Sequence, residues 1–209
     1  MEYILIAIFL SYLFGCLHGS QIIGKIKKVD IKSTGVKNAG ASNTTILLGW
    51  KYGIIVALID ICKAVFPVIM VQILGPYYGA SEQLIHTLMY VVGFFVVIGH
   101  IFPMTMRFSG GKGTASMVGV LLVLDLRIAL ICIVSLLLVT FVSNYLVIGV
   151  VSMYVLFVVT TFIFDFGLYS TLIALSLLLL STYKHLENYQ RIANKTEKTI
   201  SSMFRKRPA

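Results

Sequence analysis

Charge is what this 209-residue chain has least of. Only 12% of its residues are Asp, Glu, Lys or Arg, against about 25% in an ordinary soluble domain. Hydrophobic residues make up 58%, and the mean hydropathy is +0.95. A soluble domain of this size needs more charged surface, so the composition argues against a cytosolic globular enzyme. Acid is scarcer still: eight Asp and Glu face seventeen Lys and Arg, a net charge of +9. In a soluble protein that excess points to nucleic acid. Here the charges are too few and too clustered to coat a duplex, and they fit the cytoplasmic loops of a membrane protein. Cysteine is nearly absent. Cys16, Cys62 and Cys132 all lie in apolar stretches and form no C-x-x-C pair, which argues against a disulfide framework or a zinc site. Repeats and low-complexity tracts are missing too. The apolar start, Met1–Leu17, has Glu2 as its only early charge and no basic region, so it reads as a retained span.

Long apolar runs are abundant. A spanning helix needs about 20 apolar residues, and runs near 3–22, 52–74, 85–105, 145–164 and 167–183 qualify. The stretch Thr114–Val142 carries Asp125 and Arg127 in its middle. At the bilayer centre each charge costs about 2.5–3.5 kcal/mol, so two helices, 113–124 and 126–142, joined by a turn at Asp125 avoid the cost. The expectation is an all-α polytopic membrane protein, one domain over 1–209, with about seven spans; five or six is the alternative. With the N-terminus outside, Lys25, Lys27, Lys28, Lys32, Lys37, Lys51, Arg107, Lys112 and the basic tail from Lys184 fall on the cytoplasmic side. Arg205-Lys206-Arg207 reads as a membrane-surface anchor, worth about 1 kcal/mol per charge.

Three polar constellations interrupt the apolar pattern. The first, Asp30 to Asn43, offers hydroxyls, amides, Gly35 and Gly40, and Lys32 and Lys37. That inventory suits an anionic oxygen cluster such as phosphate. A polar loop with topological lysines accounts for it equally well. The second is Gly99-His100-Ile101-Phe102-Pro103 followed by Phe108-Ser109-Gly110-Gly111-Lys112-Gly113 at the entry to an apolar run. Glycines let backbone wrap an anion, the start of a helix presents unpaired N–H groups, and Lys112 adds a full charge. It is not a Walker motif, because Gly113 stands where Ser or Thr would follow the lysine. The third is His185, Asn188 and Arg191, spaced along one helix face just past the last apolar run, a set able to hold a hydroxyl and a phosphate. Asp60 and Lys63, at i and i+3 inside the second run, read as a mutually neutralising structural pair.

Taken together and in order, these motifs resemble the PlsY family of acyl-phosphate-dependent glycerol-3-phosphate acyltransferases. The family's D-I-R-x-x-G-S-G-N-x-G-A-T-N-x-x-R is met by Asp30-Ile31-Lys32, Gly35, Asn38 and Gly40-Ala41-Ser42-Asn43. Its G-H-x-F-P and F-x-G-G-K-G are met by Gly99-His100, Phe102-Pro103, Phe108 and Gly110 to Gly113. H-x-x-N-x-x-R and a later T-E are met by His185, Asn188, Arg191 and Thr196-Glu197, and D-x-x-K by Asp60 and Lys63. None of the four histidines has Asp five positions later, so the H-x-x-x-x-D pattern of other glycerol-phosphate acyltransferases is absent.

The resemblance implies seven membrane helices, a site open to the cytoplasm, and acyl transfer from acyl phosphate to glycerol 3-phosphate. The products would be lysophosphatidic acid and phosphate, with no metal or organic cofactor. Membrane lipids and an upstream acyl-phosphate-forming enzyme are the implied partners, and nucleic acid is not. It assigns catalysis to His185, Asn188 and Lys112. Substrate and phosphate binding go to Lys37, Asn38, Gly40, Asn43, Gly110, Gly111, Gly113 and Arg191, and structural support to Asp60, Lys63 and His100. Val36-Lys37 departs from the family's Ser-Gly, and Ile46 stands in place of its Arg. Two other readings follow from the residues: a diverged paralogue that binds or regulates at the membrane, and a small-anion transporter marked by the intramembrane charges.

Overall fold

The computed structural model describes residues 2–204, so the basic tail Arg205-Lys206-Arg207 lies outside the described residues. Among the described residues every regular element is helical. The chain divides into two compact units, Met1–Leu126 and Arg127–Ala209.

The first unit holds α1 (Glu2–Gly15), α2 (Gly19–Lys27), α3 (Ala41–Leu48), α4 (Trp50–Leu74), α5 (Glu82–Ile101) and α6 (Thr114–Leu124). Of these, α1, α4, α5 and α6 are apolar on nearly all faces, the pattern of helices that meet neighbours on one side and hydrocarbon on the other. α4 touches each of the other five. α1 lies along α5, and their backbones come close together at Gly15 and Gly99. A Cβ on Gly15 would come within 2.8 Å of the Gly99 Cα, and one on Gly99 within 3.0 Å of the Gly15 Cα. Without hydrophobic drive in lipid, such close backbone packing supplies the attraction.

The expected span 3–22 is not one helix. α1 stops at Gly15 and α2 starts at Gly19, with His18 in extended backbone between them. A break leaves carbonyls and N–H groups without helical partners, which at membrane depth requires replacements from the protein. The buried pair in α4 supplies them. The Lys63 ammonium donates to the carbonyls of Leu17 and, at 2.9 Å, Gly15, while the Gly19 N–H donates to Asp60 Oδ1 at 3.2 Å.

The second unit holds α7 (Leu126–Ser143), α8 (Leu146–Ile163), α9 (Leu168–Lys184), α10 (Leu186–Ala193) and α11 (Ile200–Phe204). α6 and α7 are separated at Asp125, the position expected to divide the long run. Ser135 Oγ donates to Ser152 Oγ at 2.9 Å, joining α7 to α8. Asn144 anchors α11, donating from Nδ2 to Ser201 Oγ and accepting the Ser201 N–H, both at 2.9 Å.

Among the described residues, five stretches are long and apolar enough to cross a membrane: Glu2–Lys27, Trp50–Tyr78, Glu82–Met106, Leu126–Ser143 and Leu146–Ile163. Thr114–Leu124 and Leu168–Lys184 are shorter apolar helices. At 1.5 Å per residue the former reaches only about half of a ~30 Å hydrocarbon layer.

Candidate active site

The first polar loop is built around one amide. Asn43 is fully buried at the start of α3. Its Nδ2 donates to the carbonyls of Ile31 at 2.6 Å and Thr34 at 2.8 Å, and its Oδ1 accepts the Val36 N–H at 3.0 Å. Expected to bind phosphate, Asn43 has its amide engaged in shaping the loop. Gly35, at φ +68°, leaves space for it: a Cβ there would sit 2.5 Å from Asn43 Oδ1. Asp30 opens the loop by accepting the Lys32 and Ser33 N–H groups at 3.1 and 3.2 Å. Hydrogen bonding from Ser33 holds the Asp30 carboxyl below the usual carboxylate range. Lys37 is exposed, Asn38 half-buried, and Gly40 buried as the residue preceding α3.

The second loop folds back onto the helix before it. The Gly110 N–H donates to the Ile101 carbonyl at 3.0 Å and the Gly111 N–H to the His100 carbonyl at 3.1 Å. Those two N–H groups, expected to wrap an anion, therefore cap α5 instead. The loop then enters α6, where Met117 N–H to Gly113 at 2.8 Å is the first bond of the ladder and the N–H groups before it have no partner within the helix. Gly113 precedes α6 in the left-handed region at φ +84°, and Lys112 beside it is half-buried. Gly111 is where the two loops meet. A Cβ there would collide with His100 Nε2 and come within 2.8 Å of the Ala39 carbonyl.

His100 is held from below. Lys63 Nζ lies 3.1 Å from Asp60 Oδ1 and 2.8 Å from His100 Nδ1. An ammonium can only donate, so His100 accepts at Nδ1 and carries its proton on Nε2, the atom against Gly111. The His18 ring stacks on that of His100 at 4.6 Å, with its Nε2 3.0 Å from the His100 carbonyl. The chain of contacts from Asp60 through Lys63 and His100 to Gly111 lies within the first unit.

In the second unit, His185 joins α9 to α10 and is buried, 5% exposed. Its Nδ1 is 2.8 Å from the Ser181 carbonyl. That acceptor fixes the proton of the neutral ring on Nδ1 and leaves the lone pair on Nε2. Asn188 and Arg191 come together on a residue that spacing alone did not identify. Glu197 Oε1 accepts Asn188 Nδ2 and its Oε2 accepts Arg191 Nε, each at 2.6 Å. Glu187 lies 3.6 Å from the same guanidinium. The N–H groups of Thr196 and Glu197 donate to the Arg191 carbonyl, folding the carboxylate back onto α10.

The sequence pattern of the family described as glycerol-3-phosphate acyltransferase matches residues 5–195. The chain belongs to that family. It is 55% identical, over 98% of its length and 99% of the relative's, to glycerol-3-phosphate acyltransferase 1 of Oceanobacillus iheyensis. It is 34% identical to the glycerol-3-phosphate acyltransferase of Pseudothermotoga lettingae, covering 95% of this chain and 94% of that one. Its fold is similar to the crystal structure of PlsY (YgiH), an integral membrane glycerol 3-phosphate acyltransferase, in the glycerol 3-phosphate form. The TM-score is 0.85 at 25% identity, covering 97% of this chain and all (100%) of that one. The lysphosphatidic acid form gives 0.82 at 25% identity, over 96% and 97% of the two chains. This member of the glycerol-3-phosphate acyltransferase family is a multi-pass membrane protein.

The departures from the family pattern now have a location. Lys37, in the place of a family glycine, has φ +51°, the left-handed region that glycine adopts most easily. Left-handed backbone costs a side chain about 1–2 kcal/mol. The local backbone thus keeps a glycine-like conformation while bearing a cation. Ile46, in the place of the family Arg, is half-buried on α3.

Proposed function

We propose that this protein acylates glycerol 3-phosphate with an acyl phosphate as donor, giving lysophosphatidic acid and inorganic phosphate, at a site facing the cytoplasm. The observation that carries the reading is the likeness over 97% of the chain to an acyltransferase in a glycerol 3-phosphate form. The glycerol 1-hydroxyl attacks the acyl carbon, the bond from that carbon to the phosphate oxygen breaks, and phosphate leaves. The hydroxyl proton passes to the departing phosphate, directly or through His185 Nε2. Lys112 and the N–H groups at the start of α6 neutralise phosphate charge. Lys37 adds a second cation on the first loop. His185 and Asn188 orient the glycerol, and Arg191, paired to Glu197, braces Asn188. An enzyme forming the acyl phosphate is the upstream partner.

The test supplies acyl phosphate and labelled glycerol 3-phosphate to membranes containing the protein. Covalent label in lysophosphatidic acid is expected, and unchanged label accumulating inside vesicles would instead support a transporter. Lys112→Ala should lower turnover about 10²–10³-fold, the cost of removing an electrostatic stabiliser. Unaltered transfer by that variant would remove Lys112 from the mechanism.

A further inference from the structure

The first unit contains a cavity of about 570 Å³ lined by part of α2, the turn after it and residues 105–107. Four cations line it, Lys25, Lys28, Lys32 and Arg107, against one carboxylate, Asp30. Lys112, Lys37, Asn43 and the Gly110–Gly113 run contribute nothing to the wall, although Asp30, Ile31 and Lys32 at the start of the first loop do, so the cavity adjoins the residues assigned to acyl transfer without containing them. Its volume lies in the range of small-molecule sites.

Several details suit it to a phosphate. The Asp30 carboxylate is turned to its own loop, accepting the Lys32 and Ser33 N–H groups. Lys32 Nζ donates to the Met106 carbonyl at 3.0 Å, which ties the two rims of the cavity to each other. Ser20, on the wall, is only 2% exposed, and its hydroxyl has no hydrogen-bond partner. The remaining basic groups repel each other in a partly enclosed space, and a dianion reverses the sign of that interaction. Lys27, by contrast, is directed away and lies over the Tyr52 ring at 4.5 Å. Residues next to the wall are exposed and apolar: Ile22 and Ile26 on α2, Met104 and Phe108 on the second rim.

We propose that this cavity is a second anion site that takes a phosphate monoester. The flanking apolar side chains suit a monoester carried on a lipid, and inorganic phosphate presents the same charge without a chain. The experiment uses the full chain in phosphatidylcholine nanodiscs, with and without phosphatidic acid, and reads retained lipid per protein by native mass spectrometry. Equilibrium dialysis with radiolabelled inorganic phosphate forms the second arm. The double variant Lys28→Gln, Arg107→Gln is expected to weaken retention about tenfold or more. The charge-preserving pair Lys28→Arg, Arg107→Lys is expected to keep it, which separates loss of charge from loss of fold. Lys112→Ala is expected to leave it within about twofold. Retention of phosphatidic acid alone assigns the site to a lipid headgroup, and binding in both arms, or of phosphate alone, assigns it to the phosphate group itself. Binding in neither arm overturns the proposal, as does binding undiminished in the Gln variant or lost in Lys112→Ala.

Discussion

Glu197 shows how a side chain outside the helix motif sets the geometry of residues inside it. One carboxylate accepts from Asn188 and Arg191 at 2.6 Å each, and its side chain is 15% exposed, so water screens the pair incompletely. Removing it takes an acceptor from the Asn188 amide and leaves the guanidinium with the weaker Glu187 contact. Hydrogen bonds to charged groups contribute about 1.5–3 kcal/mol, so Glu197→Ala should lower kcat/KM by about tenfold to a hundredfold. Glu197→Gln keeps an acceptor for Asn188 and should recover part of the loss. Steady-state kinetics of both variants check this, and equal losses would reduce Glu197 to a surface ion pair. The same scale explains what the motif reading assigned differently. Asn43 suits a phosphate site by residue type, yet three loop backbone groups already occupy its amide.

At the scale of elements, the decisive feature is the interruption between α1 and α2. The mainly apolar stretch Met1–Leu17 reads as the start of one span, because hydropathy does not record where backbone bonds are replaced. The replacements come from α4, more than forty residues away along the chain. Lys63→Met would strip the Gly15 and Leu17 carbonyls of their donor and leave Asp60 buried without its cation. Breaking such a pair costs about 3–5 kcal/mol, so a clearly lower Tm in detergent is expected. Adding Asp60→Leu removes the stranded charge but restores no donor to the carbonyls, so only partial recovery should follow. Full recovery would mean that the break does not depend on Lys63. By contrast, the division at Asp125 was legible, because the cost of a charge at mid-membrane depends on the residue itself.

For the whole molecule, the basic excess predicts orientation. With the N-terminus outside, Glu82 and Lys195 fall on opposite sides of the membrane. In a Cys62→Ser background, where Cys16 and Cys132 are buried, Glu82→Cys should react on intact cells with a membrane-impermeant thiol reagent. Lys195→Cys should react only after lysis. The opposite labelling pattern would invert the proposed placement of the site.

Sequence by itself determined the class of molecule, the apolar segments and which residues could carry phosphate chemistry. Each of these depends on the transfer free energy or charge of residues taken one at a time, or on short spacing along a helix. Tertiary structure alone decided which of those groups are already engaged. It closed the Gly110 and Gly111 N–H groups onto α5, enclosed Asn43 in its loop, split the first span and gathered Asn188 and Arg191 on Glu197. The physical reason is that a buried polar group must find a partner, and that partner is set by the three-dimensional packing of helices and not by its place in the chain.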